Sequence, residues 1–347
     1  MTREEIVKHL EEYTLHETIY KTYFLLPTEK EKKDYLNYLK CSEYSNESLW
    51  LPGFFDLDNT LLSERSLFSN SNKNIIMQKH NRFTPARFHQ HEFFEMIYVY
   101  SGSADHEIQG AKKTLICGDL LIIAPSISHS LSVFDDGIVI DALIQKGTFL
   151  NYFFEFLKRD NVLSTFFQRD LYLNHHQPYI TFHTDKDDEL EHILFDMFIE
   201  YYNEDDLSDN ILNNLCMIYF AKLVRRHQTN AEVFSSSNKE NTQLLNIITY
   251  IQNNYTTATL TSVARHFHYA PAYLSNYIKE HTGENFIDLV KNTKLLRAEY
   301  LLSNSNLTVQ DICVQIGYES APHFIRLFKE KYGVSPSKYR KSHINPH

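Results

Sequence analysis

The sequence predicts an α+β chain: an N-terminal β-barrel with flanking helices, then an all-α domain with two helix-turn-helix units joined by a long helix. Three observations carry this reading. Between Asn74 and Ile144, short runs rich in β-branched and aromatic residues are broken by Gly, Asp and Pro. From about 148 to 228, and again after 241, apolar residues recur at helical spacing. Near the C-terminus, the segments 260–283 and 307–333 repeat one design. A length of 347 residues with 43% hydrophobic and 14% aromatic residues suits two or three packed domains and excludes wholesale disorder.

Residues 1–70 read as a helical extension without evident chemistry. Two helices are expected over 2–40, with capping boxes at Thr2/Glu5 and Thr28/Glu31 and an apolar face of Ile6, Leu10 and Tyr13. The region 71–228 begins with the runs IIMQKH, EFFEMIYVYSG, ADHEIQG, KTLICGDLLIIAP and HSLSVFDDGIVIDALI. Many short strands at this spacing imply an antiparallel barrel or sandwich. Two amphipathic helices follow. One carries Leu190, Leu194, Met197 and Tyr201 on one face; the other carries Ile211, Leu215, Ile218 and Lys222 or Leu223. They suit either an α-hairpin against the barrel or a pairing surface for a second copy, making the chain a homodimer. The polar, Ser/Asn-rich stretch 229–241 reads as a linker.

The formal charge of −10 is unevenly spread. From Asn241 onward there are 11 Lys and Arg against 7 Asp and Glu, a net of +4, whereas the first 240 residues hold 23 against 37, a net of −14. Such asymmetry points to a nucleic-acid-binding module tied to an acidic partner domain. No apolar run approaches the roughly 18–20 residues of a membrane helix. The charged start MTREEIVKHL lacks a secretory apolar region, so a cytoplasmic protein without membrane association is expected. Cys41, Cys117, Cys216 and Cys313 are far apart and form no CxxC pair, which argues against a disulfide framework or zinc ribbon.

The C-terminal domain is expected over 242–342, with helix-turn-helix units at 260–281 and 308–331. In each, a short helix has buried positions (Leu260, Val263, Ala264 and Phe267; Val309, Ile312, Cys313 and Ile316). A turn follows, then a second helix anchored by Leu274 and Ile278 or by Phe324 and Phe328. Gly317 supplies a turn where positive φ is expected, and His268 takes that place in the first unit. The second helix of such a unit fits the major groove, where base edges are distinguishable.

These residues resemble the DNA-binding domain of the AraC/XylS family of transcription regulators. The second unit carries the resemblance through Val309, Ile312, Cys313, Gly317, Tyr318, Ser320, Phe324, Arg326, Phe328, Lys329, Gly333, Pro336, Tyr339 and Arg340. The resemblance implies base readers on the outward faces of the second helices: Ala272, Ser275 and Asn276, then Ala321, Pro322, Ile325 and Arg326. Arg326 suits a bidentate contact to guanine and Asn276 one to adenine. Lys279, Lys329, Lys338 and Arg340 read as phosphate contacts. Ala321 and Pro322 depart from the family's longer polar side chains, which places more of the second unit's reading on Arg326. The alternative for Arg326 is an ion pair within the domain.

FHQHEFFEMIYVYSG spaces His89, His91 and Glu95 as H-x-H-x3-E, and GDLLIIAPSISH adds His129. These segments resemble the two motifs of a cupin barrel. Metal-bearing cupins use three His and one Glu, and alternate residues on a strand put His89 and His91 on one face. Sensory domains of AraC-type regulators resemble the same pattern without metal. The expectation is therefore an effector pocket of His89, His91, Glu95 and His129 with no cofactor and no catalysis. The alternative is a metal-dependent cupin enzyme fused to a DNA-binding domain.

GFFDLDNTLL resembles the D-x-D-x-T motif of haloacid-dehalogenase phosphatases, with Asp56 and Asp58 as nucleophile and acid/base, but the β-rich sequence after it does not suit that fold. His175-His176 and the runs DKDDE and NEDD read as solvated loops and helix starts. The sequence-level expectation is thus a regulator that reads double-stranded promoter DNA and responds to a small molecule. The family resemblance makes a carbohydrate a candidate effector and RNA polymerase a partner if the protein activates.

Overall fold

A computed structural model of the chain describes residues 2–47, 49, 51, 60–69, 71, 73–84, 86–157, 159, 161–172, 178–233 and 239–344. Asp56, Asp58, His175 and His176 lie outside the described residues. In chain order, α1 (Arg3–Glu11), α2 (Leu15–Leu25) and α3 (Glu29–Cys41) precede β1 (Thr60–Leu62) and α4 (Glu64–Phe68). The strands β2 (Ile75–Lys79), β3 (His89–His91), β4 (Phe94–Ser101), β5 (Ser103–Ile108), β6 (Ala111–Ile116), β7 (Asp119–Ile123), β8 (His129–Ser132) and β9 (Ile138–Ile144) follow. Next come α5 (Lys146–Asn151), α6 (Phe154–Leu157), α7 (Val162–Tyr172), β10 (Tyr179–His183), α8 (Asp188–Tyr202), α9 (Ser208–His227) and β11 (Ala231–Val233). The C-terminal helices are α10 (Lys239–Asn254), α11 (Leu260–His266), α12 (Pro271–Thr282), α13 (Phe286–Asn304), α14 (Val309–Gln315), α15 (Ala321–Tyr332) and α16 (Pro336–Ile344).

The chain forms two compact units. One comprises the described residues up to 146 together with 178–233, the other 147–172 together with 239–344. In the first, the strands form two sheets, ordered β1-β3-β8-β5-β6 and β11-β10-β7-β4-β9-β2. Their facing sides are lined by the alternate residues of each strand, as the period-two geometry of a pleated sheet requires.

Several elements differ from the sequence expectation. Residues 2–40 form three helices, because Thr14 and Glu17 make a capping box that starts a separate α2. β10 lies inside the stretch read as helical; YITFH is short, but its β-formers pair with β7 along their whole length. β11 occupies the start of the expected linker and pairs with β10. Residues 147–172, expected within the 71–228 region, pack with the C-terminal helices, since their buried Phe149, Phe153, Phe166 and Phe167 belong to that unit.

The apolar face expected for the second amphipathic helix points outward. Helix α9 buries Leu212, Cys216, Tyr219, Phe220 and Leu223, while Ile211 is 39% and Ile218 46% exposed. Helix α8 buries Leu190, Leu194 and Met197 as expected.

The N-terminal helices are fastened to the strands by a buried charge cluster. The Glu17 carboxylate, fully buried, accepts from Arg82 Nε at 2.9 Å, the Arg82 backbone N–H at 3.0 Å and Lys79 Nζ at 2.7 Å. Lys79 also donates to Leu10 and Glu12 carbonyls at 3.2 and 2.7 Å, capping the end of α1. The neighbouring Phe83 has φ +59, a conformation a bulky residue keeps only where packing enforces it. It is buried with Ile19, Tyr20, Tyr23 and Leu39 of α2 and α3.

Burial opposes ionisation of Glu17, but Arg82 and Lys79 outweigh it and hold its carboxyl below the ordinary range. Glu17→Gln is expected to cost about 3–5 kcal/mol, because it strands two buried cations. Urea unfolding of the two proteins measures this. A lowered carboxyl pKa stabilises the fold above the ordinary carboxylate range and loses that effect as pH falls through the folded value. The difference between the proteins should therefore shrink in acid.

Candidate functional site

The helical unit is built twice around a shared rod. The first core gathers Leu244, Ile248, Ile251, Val263, Ala264, Leu274 and Ile278 with Phe286 and Leu289 from the start of α13. The second gathers Leu295, Ala298 and Leu302 from the end of α13 with Ile312, Cys313, Ile316, Phe324 and Phe328. Both units open with a capping box, Thr259 with Ser262 and Thr308 with Asp311. Both second helices end at a left-handed glycine, Gly283 or Gly333. In the turns, His268 has φ +58 and Gly317 φ +77, as expected. Gly317 has a second reason to be glycine: a Cβ there would lie 2.7 Å from the Thr256 carbonyl oxygen.

With Leu274 and Phe324 facing inward, the outward faces of α12 and α15 carry the residues expected to meet DNA. Ala272, Asn276 and Lys279 are exposed and Ser275 is half-buried on α12. Pro322, Ile325, Arg326 and Lys329 are exposed and Ala321 half-buried on α15; Lys338 is exposed on α16. Asn276, Lys279, Arg326, Lys329 and Lys338 make no side-chain hydrogen bond or ion pair with another described residue. The internal ion pair weighed for Arg326 is therefore absent among the described residues. Arg340 is placed differently from its expected phosphate contact. Its Nε donates to the Leu302 carbonyl at 3.3 Å and one terminal nitrogen is buried, so it caps the end of α13. Two further exposed side chains, Tyr273 and His323, stand at equivalent positions of α12 and α15, one residue before the buried Leu274 and Phe324.

In the strand-rich unit the four motif residues converge. His89 and His129 are cross-strand partners on β3 and β8, with ring centroids 4.3 Å apart. Glu95, on β4 of the other sheet, reaches across. Its Oε2 lies 3.1 Å from His129 Nε2 and 3.3 Å from His91 Nε2. All three imidazoles turn Nδ1 toward a backbone carbonyl: His89 to Arg87 at 3.1 Å, His91 to Phe93 at 2.6 Å and His129 to Ile127 at 3.0 Å. Burial opposes ionisation of Glu95, but the His129 and His91 contacts hold it well below the carboxylate range. Burial, reinforced by His129, pushes His89 down to about 4, so it is neutral at pH 7.

This donor set fits a divalent ion. One ligand atom each from His89, Glu95 and His129 lies within 4.8 Å of the others, and His91 Nε2 is buried without a hydrogen bond. These four residues would hold the ion, which would supply a Lewis-acid point for an oxygen-bearing ligand. Both nitrogens of His129 face oxygen atoms, Nδ1 the Ile127 carbonyl and Nε2 the Glu95 carboxylate.

The sheet faces that carry the nest hold more polar groups, which no sequence motif marked. Asp141 opposes Ile97, two residues from Glu95, and so shares its face. Asp141 pairs with His80 at 3.1 Å, leaving Asp141 Oδ1 and His80 Nε2 buried without partners. His106 on β5 opposes Leu131, two residues from His129; both its nitrogens are buried and unpartnered. Thr181 Oγ1 on β10 is in the same condition. A strict period-two reading of the strands was the signal that could have found them. An open cleft of about 410 Å³ lies over the five-stranded sheet, lined by Asp105, Glu107, Lys112, Thr114 and Ser130. Lys112 pairs there with Glu107 and Thr114 donates to Asp105, and the unpartnered His106 lines the same cleft.

Comparison with known proteins agrees with the helical unit. Residues 263–342 match the family model of a helix-turn-helix domain. The transcriptional activator RhaS of Mannheimia succiniciproducens is 25% identical over 281 residues, which cover 80% of this chain and 98% of that protein. The raffinose operon regulatory protein RafR of Pediococcus pentosaceus is 31% identical over 137 residues, 39% of this chain and 49% of its own length. The C-terminal domain of AraT, a response regulator from Geobacillus stearothermophilus, is 32% identical over 31% of this chain and 88% of that one, with a TM-score of 0.29. The helix-turn-helix match and the relatives named as transcriptional regulators define a helix-turn-helix transcription regulator. Within that class, the domain at residues 263–342 is similar to that of the AraC-type regulators. No described helix is long and apolar enough to cross a membrane.

Arg326→Ala is expected to weaken specific DNA binding by about 1–3 kcal/mol while sparing non-specific binding. Lys329→Ala should instead lower the salt dependence of binding by about one unit of slope, as loss of a phosphate contact does. Arg340→Ala should leave that slope unchanged and lower the melting temperature. Fluorescence anisotropy across a salt series, with a thermal melt of each variant, separates the three roles. Metal analysis of purified protein is expected to find only sub-stoichiometric metal; near-stoichiometric iron, manganese or zinc, lost in His89→Ala, would overturn the metal-free reading of the nest.

Proposed function

We propose that the chain is a cytoplasmic, homodimeric regulator that grips promoter DNA with α12 and α15 and changes its grip when a small molecule occupies the His–Glu nest. The observation that carries the DNA half is the doubled set of unpaired polar and basic side chains, Asn276 and Lys279 on α12, Arg326 and Lys329 on α15. Helix α13 has 19 residues and so spans about 28 Å. That length is comparable to the ~34 Å between successive major grooves on one face of a duplex. Asn276 and Arg326 are proposed to read bases, and Lys279, Lys329 and Lys338 to hold phosphates.

The effector half rests on the unsatisfied groups around the nest. His80, His106, Asp141 and Thr181 offer donors and acceptors of both kinds in a buried setting. A small polyhydroxylated molecule such as a carbohydrate satisfies such a set, because each hydroxyl both donates and accepts. The exposed Ile211 and Ile218 on α9, with Leu207 just before the helix, support pairing with a second copy, since burying them would remove apolar surface from water. A regulator that activates would also meet RNA polymerase.

Genome-wide footprinting of the bound DNA tests the first half; protected sites should share a two-part motif with its parts about one helical turn apart. A melting-temperature screen of mono- and disaccharides tests the second. A shift seen with the native protein and lost in both Glu95→Gln and His129→Ala supports the nest as effector site, and a shift retained in both places the effector elsewhere.

A further inference from the structure

Residues 147–172 follow β9 and precede β10, two strands of the strand-rich unit, yet they belong to the helical unit. Gln168 of α7, 4% exposed, donates to the Leu157 carbonyl at 2.5 Å and to Gln252 Oε1 of α10 at 3.3 Å. Its own oxygen accepts from Thr249 of α10 at 3.3 Å. Gln252 is itself 1% exposed. Tyr152 meets Tyr300 of α13 edge to face at 6.1 Å. In this register of α7 on α10 the Gln168 amide is satisfied, while Gln252 Nε2 is buried without a hydrogen-bond partner. A buried amide pair of this kind has different partners in different registers, so it discriminates between discrete arrangements.

The two strands that carry this segment meet on one transverse row of their sheet. Glu95 on β4 opposes Leu143 on β9 and Ile123 on β7, and Ile123 opposes Tyr179 on β10. The row Leu143–Glu95–Ile123–Tyr179 crosses four neighbouring strands, about 14 Å in all. Leu143 lies three residues before the start of α5, and Tyr179 is the first residue of β10. A shift of Glu95 toward a ligand therefore acts along backbone hydrogen bonds on both strands that hold the segment.

We propose that residues 147–172 are the arm through which occupancy of the His–Glu nest is passed to the DNA-binding helices, with the Gln168–Gln252 pair as the contact that is made or broken. This rests on the nest being the effector site. The arm biases two packings of α7 on α10, and an effector moves the balance by its different affinity for the two.

Hydrogen–deuterium exchange of the full-length protein, without any added compound, tests the arm. Leu143→Ala alters the row, whereas Ile138→Ala makes a similar buried truncation on the same strand, away from it. Leu143→Ala is expected to speed exchange in 162–172 and 239–254 by about fivefold or more, with Ile138→Ala changing them by less than about twofold. Equal effects of both, or no effect of either, would overturn the proposal. Glu95→Gln, which keeps the side-chain size, replaces Leu143→Ala if that variant fails to fold. Gln168→Leu should speed exchange in 239–254 and leave β4 and β7 unchanged; faster exchange in those strands would mean general destabilisation and count against the arm. Because no compound is used, coupling found here survives even if no saccharide binds. A saccharide that binds the nest without altering exchange in 162–172 would sink the arm and leave the effector site standing.

Discussion

Helix α13 belongs to two hydrophobic cores at once, and the DNA-reading geometry depends on that sharing. Phe286 and Leu289 close the first helix-turn-helix unit, and Leu295, Ala298 and Leu302 close the second. Neither unit is large enough to bury its apolar faces alone, so each borrows one side of the rod. The rod is tied further at its far end. Tyr332 and Tyr339 both donate to Glu299, at 2.8 and 2.6 Å, and Arg340 closes the carbonyl of Leu302. A recognition helix packed this way has little freedom to turn, which is what positioning of base contacts requires.

The strand-rich unit follows the opposite principle. Buried polar atoms around the nest, on His80, His106, Asp141 and Thr181, are left without hydrogen-bond partners. Buried polar groups cost free energy unless they are hydrogen-bonded, and a fold keeps several only where something else completes them. Glu95 is the centre of this arrangement. It comes from one sheet, its imidazole partners from the other, and it stays ionised in spite of burial because His129 and His91 face it.

The two halves are also joined in an unequal way. A short aromatic-rich segment between two strands contributes buried phenylalanines to the helical unit. Its polar contact with α10 includes a pair of buried glutamines joined by one hydrogen bond, with Gln252 Nε2 left without a partner. Switching elements in proteins are commonly of this bistable kind, because packed interiors do not deform continuously.

Local signals were enough for much of this. The capping threonines, the inward Leu274 and Phe324, and the positive φ of His268 and Gly317 follow from residue type and spacing, because helix ends and tight turns are short-range problems. The H-x-H-x3-E spacing likewise put His89, His91 and Glu95 on candidate lists before any fold was known. What the sequence could not decide are matters of long-range partnership. Ile211 and Ile218 form a helical stripe, yet the neighbouring stripe of Leu212, Cys216 and Tyr219 is the buried one, since both are apolar and only the packing partner chooses between them. Arg340 turned inward because a free carbonyl at the end of α13 lay beside it. Period-two alternation could mark His106, Asp141 and Thr181 as inward-facing, but that they lie beside the nest without hydrogen-bond partners was decided by the sheets, for register across strands is set by tertiary pairing and not by local composition.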